Sequence, residues 1–184
     1  MGALADADVI NYLNQHFVSS FQKVGNFRIV NGQKQGGNVA SYFTLPDGRI
    51  LHIVAGPVDA ATLLREARWV VETRKLAIMT SQGNFTKYQD AWQKAHAERL
   101  QSEFGVHENF THKKQHTQAG NSRWIMAHNL QRLPAQGQVH SLLAHDPLAP
   151  IDKIYREVFE TILKQPISNL PVDDEFRVQA QRQG

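Results

Sequence analysis

Two strand-like runs joined by a three-residue turn constrain this chain more than any other feature. Val39 to Leu45 and Arg49 to Ala55 are rich in β-branched and aromatic residues, and Pro46-Asp47-Gly48 stands between them. Proline presets φ for a turn, aspartate bonds its own backbone, and glycine accepts a positive φ. An antiparallel hairpin is therefore expected over 39–55. The chain has no cysteine. It has no disulfide staples, and its stability must come from a packed core.

Helical periodicity supplies the cover. Asp59 can cap a helix from Ala60 to about Arg74, and its apolar arc holds Ala60, Leu63, Leu64, Ala67, Val70 and Val71. Trp69 falls opposite, among Arg65, Arg68 and Glu72. It is expected either to lie half-exposed or to anchor a second layer supplied by the C-terminal half. From Asn84 a more polar helix places Phe85, Tyr88, Trp92, Ala95 and Arg99 on one face, and Gly105 ends it after Phe104. A loop rich in His, Lys and Gln follows. Ser122 to Leu133 reads as a helix stopped by Pro134, Val139 to Ala144 as a short helical run, and Ile151 to Leu163 as a strongly amphipathic one. Ahead of the hairpin, Asp6 or Asp8 caps a short helix. Phe17 to Val24 reads as a strand, Phe27 to Val30 as a second extended piece, and the Gly- and Gln-rich stretch through Gly37 as a loop.

The fold class is thus mixed α/β of the α+β kind: a partial sheet with a hairpin and covering helices over 1–80, an all-helical extension packed on it over 81–172, and a flexible tail over 173–184. The order of elements resembles the later part of a thioredoxin-like domain. Tyr42 to Leu51 is similar to that family's terminal hairpin. Ala55-Gly56-Pro57-Val58-Asp59, followed by Leu63 and Leu64, is similar to the entry to its last helix. Val9 to Val18 looks like the end of its active-site helix leading into the next strand. The likeness covers residues 5–75.

Two departures go with it. The dithiol motif that should precede the first helix has no counterpart, and Val39 or Ala40 stands where the family places its cis-proline. A nucleophilic thiolate is indispensable to that family's chemistry. The resemblance therefore implies the fold and argues against the activity. It implies a redox-inactive thioredoxin-like binding or scaffold module that recognises a protein or peptide, with Trp69, Trp92 and Trp124 as natural anchors if exposed.

Other chemistries leave fainter traces. His107, His112 and His116 lie in one short segment beside Glu108, and His112 and His116 would share a face if that segment were helical. This is a candidate metal site for a divalent ion. His96, His128, His140 and His145 could join only by the chain folding back, which spacing does not reveal. His140-Ser141 and His145-Asp146 carry the residue types of a hydrolase triad without a Gly-x-Ser-x-Gly elbow, and Asp146-Pro147 reads as a turn. No dinucleotide or phosphate-loop fingerprint is present, and no catalytic residue is assigned. Lys87, Lys94, Arg99, Lys113, Lys114, Arg123 and Arg132 form a mildly basic region, but acids are interspersed. The formal net charge of the chain is only +3, so weak nucleic-acid association ranks below protein binding. No run reaches the roughly 18–20 apolar residues of a membrane span. A soluble, cytoplasmic location is the default expectation, with an extracytoplasmic one the alternative if a signal peptide has been removed, and a homo-oligomer is compatible with the composition.

Overall fold

A computed structural model describes residues 2–22, 27–30, 33–36, 39–107 and 130–167. The architecture is mixed α and β. Helix α1 (Ala7–His16) is followed by strands β1 (Phe27–Val30), β2 (Gln33–Gly36), β3 (Ala40–Thr44) and β4 (Ile50–Ala55). Helices α2 (Ala60–Ser81), α3 (Phe85–Phe104), α4 (Ala135–His145) and α5 (Ile151–Glu157) complete it, and Val158–Ile162 continues α5 as a π-helical turn. The strands form two separate two-stranded antiparallel sheets, β1 with β2 and β3 with β4.

The expected hairpin is β3–β4. Tyr42 pairs with Ile53, and the register shifts at a bulge between Phe43 and Thr44. The turn closes through Gly48 N–H to the Leu45 carbonyl at 3.0 Å, with Gly48 at a φ of 80°. The Asp47 carboxylate accepts from the Arg49 backbone at 3.2 Å. Helix caps also follow sequence logic. Asp6 accepts from Asp8 and Val9, Asp59 from Thr62, and Asn84 from Lys87. These satisfy N–H groups that have no partner inside their helices.

Several elements differ from the sequence expectation. Phe17 to Gln22 is not a strand, although its composition favours one. No strand pairs with it among the described residues, and Val18 and Phe21 are exposed. β-propensity expresses a fit to a pleated, half-buried surface, and this stretch lacks that surface. Gln33–Gly36, expected as loop, is instead drawn into register with β1. Helix α2 runs on to Ser81, past Arg74, because no breaker occurs before Gln82 takes a left-handed conformation. The Ser122–Leu133 run lies mostly outside the described residues, and Leu130–Arg132 near its end form a 3-10 turn.

Strand β4 sits at the centre. Every residue from Ile50 to Val54 is buried, as expected of a strand covered on both faces. Ile50 and Ile53 join Leu130, Val139, Leu142, Ile154 and Val158 in one apolar core. Leu51 and Val54 join Val9, Phe43, Leu63, Val70, Trp92 and Leu148 in the other. Each core draws on both 1–80 and 81–172.

The free edge of β4 is closed at its start by a short backbone bridge, in which Ile50 N–H donates to the Ala149 carbonyl at 3.0 Å, and beyond it by side chains. The Gln136 amide donates to the Ile53 carbonyl at 2.9 Å, and its Oε1 accepts from Ala55 N–H at 3.3 Å. Next along the same edge, His96 Nε2 lies 2.9 Å from the Leu51 carbonyl. Helix α4 can reach this edge because Gly137 lacks a side chain. A Cβ there would meet the Phe104 ring at 3.1 Å and Leu133 Cβ at 3.2 Å. Replacing Gln136 with leucine leaves one N–H and one C=O of β4 without partners. Urea denaturation should record a loss of about 1–3 kcal/mol, and the Ala55 amide should exchange faster. A loss below about 0.5 kcal/mol, within the range of an ordinary surface change, would contradict this role.

Candidate metal centre

Three histidines from three elements converge against β4. His52 is the one polar residue in the buried part of that strand. His96 lies mid-way along α3, and His140 lies on α4. They are 0%, 1% and 0% exposed. Each offers a ring nitrogen, and the three nitrogens lie within 4.8 Å of one another. The imidazole centroids are 5.2–5.6 Å apart.

Hydrogen bonding fixes the protons. His52 Nε2 is 3.1 Å from Glu66 Oε2. A carboxylate only accepts, so His52 carries its proton on Nε2 and leaves a lone pair on Nδ1. His96 Nε2 likewise donates to the Leu51 carbonyl, which leaves a lone pair on its Nδ1. That atom is 3.0 Å from His140 Nδ1. His140 must therefore donate from Nδ1 and carry its lone pair on Nε2. No protein donor reaches either His52 Nδ1 or His140 Nε2, although both are buried. Leaving a buried polar atom unpaired costs about 1–3 kcal/mol.

Burial keeps all three rings neutral. It lowers the His52 pKa despite the opposing pull of the Glu66 carboxylate. It pushes His96 down to about 3, with the neighbouring His52 ring and the Arg99 charge adding to the effect. It takes His140 well below its ordinary value. The His52–Glu66 contact is thus a neutral imidazole donating to an anion. Burial alone would raise Glu66, but hydrogen bonds from His52 and Arg99 outweigh it and hold the carboxylate ionised far below its usual range. The Arg99 guanidinium bonds Glu66 through both terminal nitrogens and Glu103 through Nε at 2.6 Å. It also lies 4.7 Å over the Trp69 ring.

Trp69 binds these parts together. Its ring stands edge-on to His52, His96 and His140 at 4.9, 5.2 and 5.9 Å. It is half-buried and meets the layer that α3 and α4 supply. Trp92 is 1% exposed and belongs to the core, so it presents nothing to a partner. Trp124 lies outside the described residues. His107 is exposed just past α3, and His112 and His116, with Glu108, lie outside the described residues.

Among the described residues, the only cluster of metal-capable side chains is His52, His96 and His140. Protein-family profiles, curated proteins and solved structures offer no match to this chain. What the site can do therefore rests on its own chemistry.

Sequence reasoning missed His52 and Glu66, although both carried a signal. His52 interrupts an apolar strand. Glu66 lies three residues after Leu63 and four before Val70, on the buried face of α2. The basic region also changes character. Arg99 is buried in ion pairs, and Lys94 pairs with Glu98 at 3.7 Å. Among the described residues, no helix is long and apolar enough to cross a membrane.

Proposed function

We propose that the chain is a metal-binding protein whose ion is held by His52, His96 and His140. The observation that carries this reading is the pair of outward hydrogen bonds. His52 donates to the Glu66 carboxylate and His96 to the Leu51 carbonyl, which leaves each ring's lone pair on Nδ1; the His52 lone pair has no partner, and the His96 lone pair ligates by exchanging its contact with His140 Nδ1 for the ion. Histidine ligands of metals are held in this way, with the far nitrogen donating to a carboxylate or a backbone carbonyl. A metal also offsets the cost of the two orphaned nitrogens. Metal–nitrogen bonds of about 2.0–2.1 Å put ligand nitrogens about 3.4 Å apart, against an upper limit of 4.8 Å within the cluster.

Of the anchors for a protein-binding module, only Trp69 has solvent contact among the described residues, and its ring is occupied by the histidines and Arg99. The thioredoxin-like resemblance stays within this proposal as a statement about the β3–β4 hairpin and α2, which keep the expected order.

The test uses Trp69 as a reporter. Titrating the metal-free chain with Co²⁺ or Ni²⁺, open-shell ions, should quench tryptophan fluorescence saturably at one ion per chain. The dissociation constant should be about micromolar or tighter. Quenching should be lost in His52→Gln and His140→Gln and kept in His107→Gln. Absence of quenching, or equal loss in all three variants, overturns the reading.

A further inference from the structure

The choice of ion turns on charge and ligand count. The centre supplies three neutral nitrogens. Among the described residues no cysteine, aspartate or glutamate joins them as a fourth donor. Zn²⁺ and related divalent ions call for four or more ligands. A monovalent ion with a filled d shell is content with three.

The ionised groups next to the cluster cancel. Glu66 pairs with Arg99 and Arg65, and Arg99 pairs also with Glu103. Two carboxylates thus meet two guanidinium groups, so a bound ion's charge stays uncompensated. The cost of burying a charge rises with its square, which makes a divalent ion about four times as costly as a monovalent one. Arg99 adds to the bias, standing over Trp69, whose edge touches all three imidazoles. Phe43 stacks on His52, and Phe104 and Trp92 flank His140 and His96.

We propose that the ion this centre is built for is monovalent copper, held by the three imidazoles alone. The inference rests on the metal-binding reading above and narrows it. Imidazole suits copper, and a singly charged, three-coordinate ion meets both the ligand count and the electrostatics.

The test compares Cu⁺ and Zn²⁺ on the whole chain, anaerobically, against a chromophoric chelator for each. Cu⁺ should bind at one per chain and at least about 100-fold more tightly than Zn²⁺, a gap of about 2.7 kcal/mol. The copper X-ray absorption edge should show three nitrogen ligands and no fourth. If Zn²⁺ binds these histidines as tightly as Cu⁺, or the copper is four-coordinate, this inference fails while the metal centre stands. If neither ion binds, the metal-binding reading fails with it.

Discussion

Replacing Glu66 with alanine is expected to cost about 3–5 kcal/mol of unfolding free energy, the range for removing one partner of a buried ion pair. Glu66 is 1% exposed and accepts from His52 and from both terminal nitrogens of Arg99. Its removal leaves the Arg99 guanidinium, with only 11% of its side chain exposed, paired with Glu103 alone and takes away the acceptor that fixes the His52 tautomer. Against a typical total of 5–15 kcal/mol, such a loss leaves the domain close to its folding threshold. Chemical denaturation measures it directly. Glu66→Gln should cost less, because its amide oxygen still accepts one bond. The pair Glu66→Ala with Arg99→Met should recover part of the deficit, since the largely buried charge goes with its main partner. If Glu66→Ala loses under about 1 kcal/mol, the carboxylate is not the keystone described here.

Acid should unfold the metal-free chain unusually early. An unfolded histidine titrates near 6.5, whereas His52, His96 and His140 titrate lower in the folded chain, His96 at about 3. Below pH 6.5 the unfolded state binds protons that the folded state refuses. The stability these rings contribute is therefore complete above about pH 6.5. It falls as pH drops from there towards the folded pKa values. The slope approaches roughly 1.4 kcal/mol per pH unit for each ring that stays neutral in the folded chain. Glu66 acts later, because its contribution is complete above its unfolded value near 4.5 and erodes only below it. Urea midpoints measured from pH 7.5 to 5 should fall steeply, and His96→Gln should reduce the slope. Bound metal should move the transition to lower pH, because it competes with protons for the same lone pairs. A midpoint flat down to pH 5 would mean that these rings are not buried and neutral.

The sequence made local features legible and left distant ones hidden. Pro46-Asp47-Gly48 dictates its turn through backbone preferences that no neighbour needs to supply. The caps at Asp59 and Asn84 act within their own helices in the same way. Phe17 to Gln22 has the composition of a strand and no partner among the described residues, so composition alone misleads there. The histidine cluster is the opposite case. His52, His96 and His140 come from a strand and two helices, and no spacing rule links them. Their meeting follows from α3 and α4 packing against β4, which Gly137 permits and Gln136 and His96 secure by bonding the strand's edge. The histidines of 107–116 are close in sequence, yet closeness in sequence does not supply the acceptors that orient a ligand. His52 has such an acceptor in Glu66, and His96 has one in Leu51.

The most direct measurement is of the imidazole nitrogens themselves. The chain holds nine histidines, and ¹⁵N-resolved spectra separate their tautomers. In the metal-free chain His52 and His96 should carry the proton on Nε2 and His140 on Nδ1. One equivalent of Cu⁺ or Zn²⁺ should then shift the ligating nitrogens of those three rings and leave the other six unchanged. Shifts confined to histidines outside this trio, or none at all, would contradict the metal centre.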